Sequence, residues 1–176
     1  MINEVIKKNG ITYGVMIGIA SALMTATIYA IDLNLFTAWW MGLLGITISL
    51  TISILLLSKT KRDLNGIFPF KEAFTTYFIA AVIGILISTF FNILLFNVID
   101  PGAKETLSEL MIKYTVGMMQ KFGTPASIIN ETIAKMKVNN PYSTIELLKG
   151  SVFAIVVSSI FGLIFAAFFK SKTTQE

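Results

Sequence analysis

The sequence of 176 residues contains no cysteine and no histidine. Without cysteine there can be no disulfide, no thiol nucleophile and no thiolate metal ligand. Without histidine, the side chain that most often exchanges protons near neutral pH and most often binds metals through nitrogen is also missing. These two absences exclude thiol catalysis, thiolate metal centres and histidine-based acid–base catalysis.

Charged residues are also scarce. Only 14% of the residues are charged and 55% are hydrophobic, whereas about a quarter of the residues are charged in a typical soluble domain. The missing water-facing surface implies a surface that faces lipid. The net charge of +4 does not indicate nucleic-acid binding, because the basic residues form short clusters beside apolar segments and no continuous basic face.

Four uncharged, apolar runs are long enough to cross a membrane, since a hydrocarbon core about 30 Å thick requires about 20 helical residues. The sequence therefore predicts an all-α, polytopic membrane protein with one membrane domain and four transmembrane helices. The first run is expected to be retained, because it is longer than the apolar region of a signal peptide, about 7 to 15 residues, and lacks an Ala-x-Ala-like cleavage site. The runs cover residues 11–31, 35–57, 73–99 and 150–169.

The segment 100–149 is the only sizeable polar region, and its apolar residues recur every three or four positions. This spacing predicts two amphipathic helices in the loop between the third and fourth spans. Thr106 and Glu109 have the spacing of a capping box for the first helix, and Thr124 followed by Pro125 predicts the start of the second. The predicted stripes are Leu107, Leu110, Met111, Tyr114, Met118 and Phe122, then Ile129, Ile133 and Met136.

The distribution of basic residues predicts the orientation, because short basic segments stay on the cytoplasmic side. The N-terminus, the loop 58–72 and the C-terminal tail hold eight basic and four acidic residues, whereas the other side holds six of each. We therefore expect cytoplasmic termini and an extracytoplasmic 100–149 segment. A phosphate ligand for the loop is unnecessary, because topology and contact with anionic headgroups explain its charges. The predicted topology determinants are Lys59, Lys61, Arg62 and Lys71, and the charges counted in the tail include Lys172 and Glu176.

Small residues recur every four positions in the spans, which predicts close packing of the helices. In lipid, helices associate mainly through close backbone approach over such residues. The first hypothesis is a compact four-helix bundle, and the alternative is that some stripes serve a homo-oligomer or a partner's helix. The stripes are Gly10, Gly14, Gly18, Ala22, Ala26 and Ala30; Gly45, Ser49 and Ser53; Ala80, Gly84 and Ser88; and Gly150, Ala154, Ser158, Gly162 and Ala166.

Little in the sequence points to chemistry. The predicted spans contain no charged residue of the kind that marks proton-coupled transporters. Asn92 is a polar intramembrane residue, expected to hydrogen-bond to another helix rather than to bind a ligand. Met111 and Met118 could bind a soft metal, but they continue an apolar helix face, so packing or membrane contact is favoured. We predict no catalytic residue, no cofactor and no metal site.

Three short motifs spread over nearly the whole chain carry a family resemblance. The first helix is glycine-rich around Gly10, Gly14 and Gly18, residues 70–74 (Phe-Lys-Glu-Ala-Phe) enter the third helix, and residues 99–101 (Ile-Asp-Pro) leave it. In these features the chain resembles a bacterial domain-of-unknown-function family of small four-helix inner-membrane proteins. The resemblance implies the fold and the bacterial inner membrane, and no catalytic or binding residue.

Two functional hypotheses remain open. The first is a non-enzymatic structural or interaction protein of the lipid bilayer, whose outer amphipathic segment contacts a membrane or periplasmic protein, a second copy or the membrane surface. Its stripes could pack on each other and on the span ends, or lie flat on the outer leaflet. The second is a small transporter or channel for a neutral or lipophilic solute. No nucleic-acid partner is expected.

Overall fold

The computed structural model describes residues 2–171, in which there are six α-helices and no β-strand. Four helices are long and apolar enough to cross a membrane, so the all-α, multi-pass membrane prediction is confirmed. Lys172 and Glu176 lie outside the described residues. The helices are α1 (Glu4–Ile31), α2 (Trp39–Asp63), α3 (Phe70–Ile93), α4 (Pro101–Lys121), α5 (Ala126–Val138) and α6 (Thr144–Phe169).

We call α4, α5 and their connection the insertion, and the end of the bundle that carries it the insertion end. The opposite end, with the connection between α2 and α3, is the loop end. There the backbone N–H of Ser171 donates to the carbonyl oxygen of Phe68 at 2.8 Å, so the end of the described chain lies beside this connection. Leu57, Phe68, Ala73, Tyr77 and Ala166 form a buried cluster towards the same end.

The two ends of the second span differ from the predicted bounds. The side chain of Asp32 accepts a hydrogen bond from the backbone N–H of Asn34 at 2.9 Å and starts a 3₁₀ turn, Leu33–Thr37, so α2 begins at Trp39 and not at residue 35. At its other end α2 continues to Asp63, beyond the apolar run. A helix end depends on caps and turns, whereas an apolar run marks only the segment that can lie in hydrocarbon.

The start of the insertion also differs from the prediction. α3 widens into a π-helical segment, Leu94–Ile99, and α4 follows at once with Asp100 as its N-cap, because Asp100 Oδ1 accepts from the backbone N–H of Ala103 at 3.0 Å. The predicted capping box at Thr106 is therefore wrong, since this residue lies inside α4. The second helix starts one residue later than predicted, with Pro125 as its N-cap.

The interface between α1 and α3 is the most extensive in the bundle, and small residues make it possible. A Cβ atom on Gly14 would lie 2.8 Å from the carbonyl oxygen of Ala80, and one on Gly18 would lie 2.6 Å from Cβ of Ile87. In the other direction, a Cβ on Gly84 would lie 2.8 Å from Cγ2 of Ile17. Gly10 is buried on the same face, whereas Ala22 and Ala26 are half-buried.

The stripe on α6 divides into two parts. Towards the loop end, a Cβ on Gly162 would lie 2.8 Å from Cδ1 of Tyr77 on α3, and Ala166 is fully buried. Near the insertion end, Gly150 is exposed and a Cβ there would meet nothing within 4 Å. The prediction that Gly150 packs against a neighbouring helix is therefore wrong. The helices separate at this position, and α2 contacts α6 only sparsely.

Candidate functional site

The separation of α2 from α6 leaves a space that α1 and α3 close from behind, which we call the α2–α6 cavity. It consists of an inner hollow of about 560 Å³ and an outer hollow of about 410 Å³ that extends to Pro141 and Glu146 at the insertion end. The two hollows adjoin, because Ile17, Ser49, Ile85 and Ala154 line both. Their volumes are in the range of ligand pockets, about 300–1,000 Å³.

Small residues create this space. Gly45 on α2 and Ala154 and Ser158 on α6 line the inner hollow, and Gly150 lines the outer one. Where helices touch, such residues permit close packing, but where helices diverge they leave volume unfilled. The predicted packing residues on α2 and the first half of α6 therefore form a cavity wall.

The wall of the inner hollow is apolar except for hydroxyl groups. Tyr77 and Ser158 meet on the inner hollow, with 3.3 Å between their hydroxyl oxygens. Among residues 2–171, none that lines the inner hollow is charged. The carboxylate at the edge of the outer hollow, Glu146, accepts a hydrogen bond from Lys149 at 2.6 Å. The cavity lining is therefore suited to an uncharged molecule.

Sequence reasoning did not identify this cavity. The serines of α2, Ser49 and Ser53, were predicted to pack against a helix, and Tyr77 was not singled out. The available signal was a hydroxyl-bearing aromatic residue within an uncharged span. Asn92, the predicted polar site, lines neither hollow and donates to the carbonyl oxygen of Ser88 in its own helix at 2.9 Å. The expectation of an interhelical bond from Asn92 is therefore wrong.

A second feature, at the insertion end, fixes the insertion to the bundle. Phe96 is fully buried, and its ring meets Tyr29, Phe36 and Tyr142 edge to face, with ring centroids 5.4 to 6.4 Å apart. The Tyr29 hydroxyl donates a hydrogen bond to Asp100 Oδ2 at 2.8 Å. The aromatic residues thus join the ends of α1 and α3 to the chain that enters α6.

Asp100 is the polar centre of this attachment. One carboxylate oxygen caps α4 through Ala103, and the other accepts from Tyr29. Hydrogen bonds from the backbone of Ala103 and from Tyr29 favour the ionised form, so they hold the pKa of Asp100 below its ordinary value of 3.8. The carboxylate therefore serves both as a helix cap and as a link between α1 and α4.

The apolar stripe of α4 is only partly buried. Leu107 is fully buried in the cluster around Phe96. Further along the helix, Tyr114 and Met118 are 42% and 41% exposed, and Phe122 is 81% exposed. These three exposed side chains follow one another at four-residue spacing and form a continuous strip, which we call the α4 strip (Tyr114, Met118 and Phe122).

The loop end contains a polar link between α1 and α2. Asn9 is 5% exposed and donates to Thr60 at 3.2 Å and to Asp63 at 2.9 Å. Lys59, a predicted topology determinant, donates to the same Asp63 oxygen at 3.0 Å. Arg62 and Lys71 are exposed and Lys61 is half-buried. Asn9 was not predicted, although its position next to Gly10 in the packing stripe was a usable signal.

A comparison with known protein families identifies the family of this chain. A family model described as "Protein of unknown function (DUF4199)" matches residues 12–171, a range that includes every helix except the start of α1. The chain belongs to the DUF4199 family. The predicted resemblance to a family of unknown function is thereby confirmed. No curated protein and no solved structure matches this DUF4199 chain.

Proposed function

We propose that this DUF4199 protein is a non-enzymatic protein of the bacterial inner membrane with both termini in the cytoplasm. The distribution of charge supports the orientation, because basic residues are concentrated at the loop end and short basic segments are retained inside. The insertion would then be extracytoplasmic. The basic residues at the loop end are Lys7, Lys8, Lys59, Lys61, Arg62, Lys71 and Lys170.

The α4 strip is the surface through which we propose that the protein acts. Tyr114 and Met118 on α4 and Phe122 at its C-cap are exposed, and the helix is fixed to the bundle at its other end. Tyrosine, phenylalanine and methionine are enriched in the cores of protein interfaces. The proposed partner is therefore a membrane or periplasmic protein that covers this strip.

Photocrosslinking in intact cells tests the proposal. A photoreactive amino acid at position 118 should crosslink to a discrete protein that mass spectrometry identifies. The matched control places the same group at Gln120, which is exposed on another side of the same helix. Adducts with lipid alone would indicate the outer leaflet, and adducts with the same chain a homo-oligomer. Either result, or equal crosslinking yields at the two positions, would contradict the proposal that a membrane or periplasmic protein covers the α4 strip.

The α2–α6 cavity favours a second function, the carriage of a neutral or lipophilic solute. The single observation that supports it is an inner hollow of about 560 Å³ without charged lining residues. Flux of an uncharged amphiphile across proteoliposomes tests this function. Filling the hollow with Ala154→Phe should reduce the flux to that of empty vesicles, and flux equal to empty vesicles in the unmodified protein would exclude it.

A further inference from the structure

Two sets of hydroxyl groups in the spans differ in their hydrogen bonding. In the first set, the side chain donates a hydrogen bond to the carbonyl oxygen four residues earlier, at 2.8 Å, so the hydroxyl is satisfied within its own helix. The members of this set are Thr27, Thr47, Thr51, Thr60, Thr75, Thr76 and Ser159. These residues need no further partner in the membrane.

The second set lines the α2–α6 cavity. Ser21, Ser49, Ser88 and Thr89 line the outer hollow, and Ser49 and Ser53 line the inner one. Within residues 2–171, these side chains have no hydrogen-bond partner, although their helices offer the same carbonyl groups. Five hydroxyls without a partner therefore line one cavity. Ser151 and Ser158 line it as well and are hydrogen-bonded to Leu148 and Tyr77, and Thr25, elsewhere in α1, lacks a partner in the described chain.

Ser53 is the most deeply placed hydroxyl of this set, since the residue is only 3% exposed. No enclosed side-chain nitrogen or oxygen in the described chain lacks a hydrogen-bond partner. The Ser53 hydroxyl has no partner, so its small accessible area must lie at the cavity wall. A hydroxyl in hydrocarbon is strongly unfavourable without a partner. The cavity therefore offers a guest a hydroxyl that is free to hydrogen-bond to it.

The rest of the wall indicates what this guest is. Ile85, Phe153 and Phe161 give the inner hollow an apolar surface, and no charged residue of the described chain lines it. Water alone fits poorly, because an ordered water needs two to four polar partners and most of the wall offers none. An uncharged molecule with a few oxygen atoms and a hydrocarbon chain matches both the hydroxyl groups and the apolar part of the wall. The sparse contact between α2 and α6 gives such a molecule a route from the bilayer.

We propose that the α2–α6 cavity binds an uncharged amphiphile of the monoacylglycerol type. Its hydroxyl or ester oxygens hydrogen-bond to Ser49 and Ser53, which lie four residues apart and so on one side of α2. Its hydrocarbon chain packs against Phe153 and Phe161. This inference deepens the second proposed function by naming the ligand class, and it concerns binding, which is measured apart from flux.

The test uses the full-length protein in detergent micelles and a monoacylglycerol with a photoreactive diazirine in its acyl chain. Mass spectrometry should locate the adducts on cavity residues of α3 and α6, and unlabelled monoolein should compete for them. The Ser49→Ala/Ser53→Ala variant should weaken binding at least about tenfold, the order expected for lost buried hydrogen bonds. Thr47→Ala is the matched control on the same helix, because this exposed hydroxyl bonds to Leu43, and it should bind as the unmodified protein does.

Two further comparisons keep the proposal falsifiable. Ala154→Phe retains every hydroxyl and fills the space, so it should abolish specific labelling even if the double serine variant does not fold. A fatty-acid anion with the same diazirine chain should bind at least about tenfold more weakly, because the inner hollow offers it no cation. Adducts spread over the lipid-facing surface, serine variants that bind normally, or equal binding of the anion would each overturn the proposal. Specific binding without flux would exclude carriage and leave the site in place.

Discussion

Gly14 shows how a single residue controls the closest contact of the bundle. A Cβ on Gly14 would lie 2.8 Å from the backbone oxygen of Ala80 and 2.9 Å from Cβ of Ile83. A backbone oxygen cannot move aside as a flexible side chain can, so even one added methyl group must push α1 away from α3. Gly150 belongs to a similar stripe but has nothing within 4 Å of a Cβ.

We therefore expect Gly14→Ala to lower the free energy of unfolding by about 1–3 kcal/mol, the usual range for overpacking. Gly150→Ala should leave stability unchanged or raise it by up to about 1 kcal/mol, since alanine is the better helix former. Unfolding in mixed micelles, followed by circular dichroism, measures both. A Gly14→Ala variant as stable as Gly150→Ala would contradict the packing of α1 against α3.

At the same scale, four-residue spacing predicts which small residues share a helix face, but it does not predict what that face contacts. The four-residue spacing places Gly10, Gly14 and Gly18 on one side of α1, because helical periodicity is local. The same spacing places Gly150 and Gly162 together, yet one is exposed and the other buried. Whether a face meets a helix or a cavity depends on how the helices diverge, which spacing does not encode.

At the scale of elements, α4 depends on Asp100 for both its start and its attachment to α1. Because hydrogen bonds from Ala103 and Tyr29 lower the pKa of the folded-state carboxyl, its ionised form stabilises the folded state at pH values above its ordinary pKa. This contribution is lost as the pH falls through the lowered folded-state pKa. Acid should therefore weaken the attachment of the insertion.

The variant Asp100→Asn tests this linkage. Its melting temperature should be below that of the unmodified protein at neutral pH, and the difference should shrink progressively as the pH falls below 3.8, the ordinary value of the carboxyl pKa. Glu109→Gln on the same helix is the control, because Glu109 is exposed and should not affect melting. If the difference in melting temperature between Asp100→Asn and the unmodified protein stays constant with pH, the charge of Asp100 does not cause the stabilisation.

At the scale of the whole molecule, the proposed orientation places the loop end inside and the insertion outside. The chain has no cysteine, so a single introduced thiol can be labelled without background. Ile67→Cys is suited to the loop end, because Ile67 is 71% exposed. Asn130→Cys is suited to the insertion, because Asn130 is exposed on α5.

A membrane-impermeant maleimide applied to intact spheroplasts should label the cysteine at position 130 and not the one at position 67. After permeabilisation both should react, which controls for thiols that are buried in the folded protein. Labelling of position 67 alone in intact spheroplasts would reverse the proposed topology. It would also place the α4 strip in the cytoplasm, so the partner would have to be a cytoplasmic protein.

The sequence by itself determined the class of this protein, because apolar length and scarce charge are properties of the chain and not of its contacts. From these, four spans, an all-helical fold and a helical insertion could be predicted. Only the tertiary structure decided that Asp100 joins α4 to Tyr29, that Asn92 bonds within its own helix, and that the serines of α2 face a cavity. These outcomes depend on how the helices are placed relative to one another, which no local pattern at the residues concerned encodes.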